Sequence, residues 1–373
     1  MSALYNPEKF QLVRKPLLEA STLPSDVYTS DEFFDMEKRE IFLKQWLFTG
    51  HISQVRELGQ YYCYDSFGGP LIIMRTGSDT IKAYTNSCRH RGSKLLDGEG
   101  VCKRIVCPYH SWTYQLDGAL SGAPQMDQVI GFDSSDFSLL EIPLEICNGL
   151  IFINYQKNPI HFDKHMGNFS ERFKNHSAEK MRLIENIHFS VNCNWKLLTE
   201  NALEAYHTGT VHRDTLGPQE SVALNCRGNW CGLKIVDEDS VATMKDNLKP
   251  FDHIQGLTED DKSGAFFTVV YPSTQFVFAQ DCIWWLSFKP ITVDRTDLTI
   301  GACFPVETIG RVDFKEQLAL YRNRWTSATQ EDNQICESQF KGQKINRPPG
   351  RFSHHEFAVH AFDNWILDQI LEL

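Results

Sequence analysis

The chain has 373 residues, 42% of them hydrophobic, and a formal net charge of −11, which is enough to bury a large core and form about two domains. No apolar run approaches the roughly 20 residues that span a bilayer, and the N-terminus lacks a secretory signal pattern, so we expect no membrane association. The acidic balance argues against nucleic-acid binding, and 11 cysteines without framework spacing indicate free thiols in the reducing cytoplasm.

The first half of the chain is predicted to begin with a helix and continue as short strands. Aromatic and aliphatic side chains in residues 31–50 recur at helical intervals and predict an amphipathic helix. From about residue 52 to residue 154 the pattern changes to short strands and tight turns. Residues 71–74 and 81–84 flank turn residues 77–79 and predict a hairpin. This segment is therefore expected to form a small β-domain.

Two short motifs in this β-domain each combine one cysteine with one histidine: Cys88-Arg89-His90 and Cys107-Pro108-Tyr109-His110. Two thiolates for one iron and two imidazoles for the other form the ligand set of a Rieske [2Fe–2S] cluster. Zinc is the alternative because it accepts the same ligand types, but zinc-finger motifs pair Cys with Cys and His with His. We therefore predict a [2Fe–2S] cluster on loop tips, where an electron donor can reach it.

After Pro159 the pattern becomes a mixture of helices and strands. Helices are predicted at 168–176, 195–207, 312–328 and 356–371, and an antiparallel meander at 266–271, 274–278, 282–288 and 298–304. The predicted fold class is α+β, an N-terminal β-domain followed by a domain whose antiparallel sheet is covered by helices. We expect the β-domain at residues 46–156, and residues 157–373 as the second domain together with the N-terminal helical segment 1–45.

A second group of metal-binding side chains follows in this later domain. His207 and His212 lie about 140° apart on a continuous helix, so they share a metal only if the helix ends between them, for which Gly209 is suited. Two histidines and one carboxylate form the facial triad of mononuclear Fe(II) oxygenases. The available acids lie in a stretch that also resembles an acidic surface helix: Glu331, Asp332 and Glu337.

Other residues with chemical potential are given simpler interpretations. Cys226 and Cys231 have the opening spacing of a plant-type ferredoxin, but no further cysteine follows at the required distance. No glycine-rich fingerprint for NAD or flavin occurs, so electrons must come from another protein. His354-His355 is interpreted as a surface pair. Alternating aromatic residues of the predicted sheet are interpreted as core rather than as a cage for a cation: Phe276, Phe278, Trp284 and Trp285.

Taken together, the two groups of motifs resemble the catalytic (α) subunit of Rieske non-heme iron oxygenases over nearly the whole chain. The motifs between Cys88 and Trp112 match the cluster loops of that family. The stretch from Asn194-Trp195-Lys196 to His212 matches its iron-binding helix. Ser111 stands where many relatives carry Gly, a departure that leaves the four cluster ligands unchanged.

The resemblance implies two metal centres and several partners. It implies a Rieske cluster on Cys88, His90, Cys107 and His110, and an Fe(II) ion that activates O2 on three further residues: His207, His212 and Asp332. It also implies a homotrimer that receives electrons from NAD(P)H through a separate reductase, alone or with a ferredoxin. The substrates are then O2 and a small organic molecule.

Glu204 departs from the pattern of most ring-hydroxylating relatives, which have Asp three residues before the first iron histidine. By resemblance this acid joins His207 to His110 of an adjacent subunit and is catalytically required. Glu at this position also occurs in relatives that act on carnitine and betaines. The resemblance thus implies hydroxylation of a small quaternary ammonium compound, with N-demethylation or C–N cleavage. Two alternatives remain, an aromatic carboxylic acid as substrate and a Rieske electron carrier without oxygenase activity.

Overall fold

The computed structural model describes residues 3–237, 240–244, 250–345 and 347–371. The chain divides into two compact units, Phe42–Phe162 and the combination of Met1–Ile41 with Asp163–Leu373. Both are built on antiparallel sheets, and helices concentrate in the larger unit. The α+β prediction is confirmed. Among the described helices, none has the length and apolar character required to cross a bilayer.

The smaller unit contains three antiparallel sheets, with strand orders β5-β2-β3-β4-β9, β1-β11-β10 and β6-β7-β8. Their strands are β1 Leu47–His51, β2 Gln60–Ser66, β3 Gly69–Arg75, β4 Ile81–Thr85, β5 Glu99–Val101, β6 Ile105–Val106, β7 Thr113–Tyr114, β8 Leu120–Gly122, β9 Glu141–Ile142, β10 Leu144–Cys147 and β11 Leu150–Ile153. β3 and β4 form the predicted hairpin, with Leu71 opposite Thr85.

The core of this unit lies directly beneath the two cysteine–histidine motifs. Trp112, Tyr114 and Tyr84 are almost fully buried and pack in the same cluster as Cys88 and Cys107. Large aromatic side chains contribute most of the buried apolar area in a unit of this size. The loops that carry the motifs therefore rest on a well-packed base.

The larger unit contains a seven-stranded antiparallel sheet in the order β12-β18-β17-β16-β15-β14-β13. Its strands are β12 Met181–Val191, β13 Ser221–Ala223, β14 Trp230–Val236, β15 Gly264–Val270, β16 Thr274–Phe278, β17 Ile283–Thr292 and β18 Arg295–Pro305. The predicted meander is confirmed by the consecutive pairing of β15 to β18. All five residues of β16 are buried, so both faces of the sheet are covered there.

Helices of this unit range from single turns to 30 residues. They are α1 Asp26–Thr29, α2 Asp31–Glu37, α3 Phe162–Met166, α4 Phe169–Phe173, α5 Trp195–Asn201, α6 Thr208–Val211, α7 Glu259–Lys262, α8 Val306–Ile309, α9 Phe314–Gln343 and α10 Phe357–Leu371.

Three predicted helix boundaries were wrong. The helix expected over residues 31–50 gives way to a π-helical turn, Lys38–Phe42, and then to β1, because the apolar residues from Leu47 onward pair with β11. The helix expected at 195–207 ends at Asn201. The helix expected at 312–328 continues to Gln343, since buried Cys336 and Phe340 extend its inward face beyond the acidic stretch.

Candidate metal centres and active site

The four predicted cluster ligands lie on two neighbouring loops of the smaller unit, one after β4 and one between β6 and β7. Cys88 and Cys107 are buried, with 3% and 2% of their surface exposed, whereas His110 is exposed. The rings of His90 and His110 lie side by side, with centroids 4.8 Å apart, and His90 stacks on Trp112. The two loops therefore place two thiols on the buried side and two imidazoles nearer the surface.

The surroundings of these side chains fit an iron–sulfur cluster. Burial raises the pKa of the Cys107 thiol, but hydrogen bonds from the backbone N–H groups of Tyr109 and His110 outweigh burial and lower it overall. Such donors stabilise thiolate ligands and tune the potential of a cluster. The buried Nδ1 of His90 has no hydrogen-bond partner among the described residues. An imidazole nitrogen in that situation is suited to coordinate a metal.

Tyr114 is a participant that the sequence reasoning missed. Its hydroxyl oxygen lies 3.3 Å from Sγ of Cys88 and accepts a hydrogen bond of 3.0 Å from the backbone N–H of Arg89. It thereby holds the first loop against the base of the unit. The position of a tyrosine two residues after Trp112 was readable, but no periodicity indicates that a tyrosine hydroxyl will reach a cysteine 26 residues earlier.

In the larger unit, the residues Asn194-Trp195-Lys196 fix the start of α5. Oδ1 of Asn194 caps the helix by accepting from the Lys196 backbone N–H at 3.1 Å. The Trp195 indole and the Lys196 ammonium both donate to the carboxylate of Glu37 on α2, at 2.9 and 2.5 Å. Lys196 and Glu37 are completely buried. This motif is therefore an anchor for the helix that precedes the histidines.

His207 and His212 flank the single turn of α6 rather than interrupting a long helix at Gly209 as expected. The chain leaves helical geometry after Asn201, and Gly209 lies inside α6. Both imidazoles still reach the same point because each stands at one end of a short turn facing α9. Their ring centroids are 5.2 Å apart.

Asp332 lies between the two imidazoles, while the neighbouring acids do not. Its Oδ1 is 3.4 Å from Nε2 of His207 and 3.1 Å from Nε2 of His212. Glu331 instead accepts from Nδ1 of His212 at 2.6 Å, and Glu337 accepts from Asn192 at 2.8 Å. Among the described residues, His207, His212 and Asp332 form the group whose ligand atoms lie within 4.8 Å of one another.

The electrostatics of this group favour positive charge at its centre. Burial raises the pKa of the Asp332 carboxyl, but the two imidazoles outweigh burial and lower it to about 2. Burial lowers the pKa of His207, but Asp332 and Glu204 outweigh burial and raise it to about 10. Asp332 Oδ1 is buried and accepts no well-aligned hydrogen bond from the described residues. A dication would satisfy this oxygen and both Nε2 atoms, so the residues fit a mononuclear iron.

Glu204 occupies the turn that leads into α6. Its Oε1 lies 2.7 Å from Nδ1 of His207, and its Oε2 accepts from the His207 backbone N–H at 3.0 Å. Glu331 holds His212 in the same way, and Thr215 donates to Glu331 at 2.7 Å. Nδ1 of each of the two histidines thus faces a carboxylate, an arrangement that points Nε2 toward Asp332. The part played by Glu331 was missed because the sequence offered it only as a rival ligand.

A cavity opens beside the three side chains. Residues of α5, α9 and the central strands line it, and many are apolar or aromatic, including Leu198, Phe267, Trp284, Phe288 and Trp325. Trp284 therefore faces a cavity as well as the core, whereas Phe276 and Phe278 are buried core residues as predicted. Apolar cavities with a few polar groups are typical of small-molecule sites.

The remaining candidates lie outside this cavity. Cys226 and Cys231 interact through their thiols, and all eleven cysteines are free. His354 and His355 pack ring to ring in a short 3₁₀ turn, and both are exposed, as the sequence indicated.

Comparison with known proteins agrees with this geometry. The family described as "Ring hydroxylating alpha subunit (catalytic domain)" matches residues 171–372, and "Rieske [2Fe-2S] domain" matches residues 45–133. The carnitine monooxygenase oxygenase subunit of Acinetobacter pittii is 34% identical over 52% of this chain, and the chain matches only 53% of that relative's length. The glycine betaine monooxygenase oxygenase subunit of Pseudomonas aeruginosa is 25% identical, covering 94% of this chain and 89% of that relative.

The fold comparison covers nearly the whole chain. The crystal structure of the quaternary ammonium Rieske monooxygenase CntA with its substrate γ-butyrobetaine superimposes with a TM-score of 0.81, at 26% identity, over 98% of this chain and 99% of that one. Oxygenases of this family take electrons from reductases or ferredoxins and act on small molecules. The resemblance found in the motifs is confirmed: the chain belongs to the Rieske non-heme iron oxygenases, enzymes that carry a Rieske [2Fe–2S] cluster and a mononuclear iron.

Proposed function

We propose that this protein is a terminal oxygenase that hydroxylates a small quaternary ammonium compound of the carnitine or betaine type. The observation that carries the proposal is the convergence of His207, His212 and Asp332 beside a largely apolar cavity. The overall reaction consumes O2, two electrons and two protons, replaces one C–H bond with C–OH and releases water. Hydroxylation on a carbon attached to nitrogen gives an unstable product that loses a methyl group or breaks the C–N bond.

We propose seven metal ligands in two groups. Cys88 and Cys107 would hold one iron of the cluster, and His90 and His110 the other. His207, His212 and Asp332 would hold the mononuclear iron. When bound, the cluster supplies single electrons and the mononuclear iron supplies O2 activation.

The acids around the histidines set their protonation. With Nδ1–H donating to Glu204, His207 keeps its Nε2 lone pair free for a metal, and Glu331 does the same for His212. Asp332 would add one negative charge beside a bound metal, and a set of three protein ligands would leave coordination positions for O2. Aromatic side chains line the adjacent cavity, and apolar walls strengthen electrostatic interactions between groups inside.

Electron supply is proposed to follow the family pattern. In a homotrimer, Glu204 would join His207 to His110 of the partner subunit, and a separate reductase, alone or with a ferredoxin, would deliver electrons from NAD(P)H. We also propose residues 46–156 as the cluster domain and the remainder, 1–45 and 157–373, as the catalytic domain. Eleven free cysteines are consistent with a protein of the reducing cytoplasm.

Support for a quaternary ammonium substrate comes from two directions. Carnitine and glycine betaine monooxygenase subunits are among the relatives, and the CntA structure contains γ-butyrobetaine. The cavity also offers aromatic faces, which attract cations by about 2 kcal/mol when desolvated.

The test is turnover by the purified iron-loaded protein with a reductase. γ-Butyrobetaine, carnitine and glycine betaine are compared with benzoate and phthalate by product analysis and coupled O2 consumption. We expect a red-brown protein with about three irons per chain and turnover of at least one ammonium compound. Turnover of aromatic acids alone would replace the proposed substrate class, and a colourless protein with zinc would reject the oxygenase.

A further inference from the structure

One face of α9 lines the cavity along more than two helical turns. Its residues follow the spacing i, i+1, i+4, i+5, i+8, i+9, which places them on a single side of a helix: Arg324, Trp325, Ala328, Thr329, Asp332 and Asn333. Asp332 belongs to the iron site at one end. Arg324 lies eight residues earlier, about 12 Å along the helix axis. Ala328, between them, has the smallest side chain of the six and leaves space over the helix.

Arg324 is unusual for a cation in this position. Only 6% of its surface is exposed, and among the described residues its single hydrogen bond runs from Nε to the Val241 carbonyl at 2.9 Å. No described carboxylate forms a direct ion pair with it, and Asp332 and Glu331 act on its charge only at longer range. A buried guanidinium without a direct counter-ion is costly, and its planar fork matches a carboxylate.

The other ionisable side chains of the cavity are already engaged. Glu204 holds His207, and Asp332 lies between the two imidazoles. The face of Trp284 is occupied as well, because the Arg324 guanidinium lies 5.4 Å from its ring centroid. Arg324 would repel a simple cation bound beside it. The part of the substrate near Arg324 is therefore expected to be an anion.

From this arrangement we infer that Arg324 binds the carboxylate of the substrate, so that the enzyme selects zwitterionic betaines over cations that lack a carboxylate. The substrate would extend over Ala328, with its carboxylate at Arg324 and its reacting carbon at the iron site. This inference rests on the proposed function and narrows it: choline-like alcohols are poor substrates although they carry the same ammonium group. The carboxylate of an aromatic acid would bind the same arginine. The test therefore distinguishes betaines from aromatic acids as the molecules that supply the carboxylate.

The decisive comparison uses γ-butyrobetaine and its alcohol counterpart, 4-(trimethylammonio)butan-1-ol. The two molecules share the ammonium group and differ only in ending with a carboxylate or a hydroxyl group. For the wild-type holoenzyme we expect kcat/KM to be roughly 10- to 100-fold higher for the acid, the range of a charge-assisted pair of hydrogen bonds. Arg324→Gln should lower kcat/KM for the acid by a similar factor, mainly through KM, and leave the alcohol within about threefold. Calorimetric binding of γ-butyrobetaine without reductase should weaken by the same factor.

Arg322→Gln is the matched control, since Arg322 stands on the same helix but pairs with Glu185 away from the cavity. Arg324→Lys keeps the charge without the fork and should give an intermediate loss; it also serves if Arg324→Gln does not fold. Equal losses of kcat/KM for the acid and the alcohol, or no loss for the acid, would overturn the inference.

If the wild type oxidises neither ammonium compound, the proposed function fails by itself. In that case the role of Arg324 is tested with benzoate as the substrate. If Arg324→Gln loses benzoate turnover, Arg324 binds carboxylates; if Arg324→Gln retains benzoate turnover, it does not.

Discussion

At the scale of single residues, the two ring nitrogens of His207 and of His212 have different partners. Nδ1 of His207 faces Glu204 and Nδ1 of His212 faces Glu331, while both Nε2 atoms face Asp332. Each orienting carboxylate contacts one particular histidine, just as Asp332 contacts both Nε2 atoms. A description limited to the ligands would leave out what fixes their direction.

The first prediction concerns the separation of the two metal centres. His207→Ala should remove about one iron per chain and abolish product formation, yet retain the visible and electron-resonance spectra of the cluster, because the cluster motifs lie in the other unit. Asp332→Ala should behave likewise. Iron analysis and spectra of the purified variants measure this. Glu337→Ala is the control, since Glu337 contacts Asn192 instead of the histidines; loss of mononuclear iron in that variant would contradict our ligand assignment.

A second prediction addresses Glu204. Glu204→Gln should retain both metals but lower coupled turnover by about 10- to 100-fold, because an amide has one acceptor oxygen where the carboxylate has two. Glu204→Asp should also be impaired, since its arm is shorter by about 1.5 Å and hydrogen bonds tolerate less. Single-turnover product yield with a pre-reduced cluster is the measurement. Normal yield in Glu204→Gln would make Glu204 an ordinary acid of its turn.

Much of the site was readable from residue types, because metal ligands are chemically restricted. Cys88, His90, Cys107 and His110 needed only their mixed pairing, and His207 and His212 needed only a carboxylate to complete them. The choice of Asp332 over Glu331 rested on resemblance, since both acids are adjacent in sequence. Only the packing of α9 against α6 decides which of the two points between the rings.

At the scale of elements, helix α5 connects the proposed iron site to three other helices through buried polar and charged side chains. Lys196 pairs with Glu37 of α2, and Glu200 accepts from the Tyr28 hydroxyl of α1 at 2.8 Å. Asp363 of α10 is also completely buried, and burial together with the charge of Glu200 raises its pKa well above the ordinary value. The buried carboxyl groups of Glu37, Glu200 and Asp363 therefore share the charge of one buried ammonium, that of Lys196.

A third prediction follows from Glu200. Burial raises its pKa to about 7, although Tyr28 and Lys196 act in the opposite direction, whereas an unfolded glutamate titrates near about 4.3. Between about pH 4.3 and 7 the folded protein holds a proton that the unfolded chain releases, so stability falls as pH rises through this range. Glu200→Gln should match wild type in unfolding midpoint near pH 5 and exceed it by about 2 to 5 °C at pH 8.

Thermal scans at pH 5, 6, 7 and 8 test this dependence, with exposed Glu316→Gln as the control. A constant difference at every pH would mean that the effect does not come from ionisation of Glu200.

How well helices and strands could be predicted depended on the periodicity of the apolar residues. The strands of the meander were found because alternating and continuous apolar runs are local signals. Helix α9 was cut short because charged and polar residues after Ala328 obscured its inward face, on which Ala328, Cys336 and Phe340 are buried. Asp332 lies on the same face at four-residue spacing and is partly exposed, and an inward-facing aspartate looks polar in sequence.

At the scale of the whole molecule, the proposed trimer divides the reaction between copies of the chain. A fourth prediction uses two inactive variants, His207→Ala with an intact cluster and His110→Ala with an intact iron site. Each alone should be inactive. Co-expressed, they should form mixed oligomers that regain a substantial fraction of wild-type turnover, because electrons pass from the cluster of one copy to the iron of another.

Light scattering should give a mass about three times 42.9 kDa. The control is mixing the two variants after purification, when stable oligomers exchange slowly and little activity should return. If the mixed oligomers are inactive, electrons pass from the cluster to the iron within one chain, which contradicts the proposed path between subunits.

Helix α9 has a consequence for how this enzyme diversifies. Because Arg324 and Asp332 stand on the same helix, the proposed binding mode fixes the distance between the recognised end and the oxidised end of a substrate by helix geometry and not by loops. A change of side chain at Ala328 alters the space between these ends without moving either one. New specificities can therefore arise by single substitutions on one helical face, with the metal centre and its chemistry inherited intact.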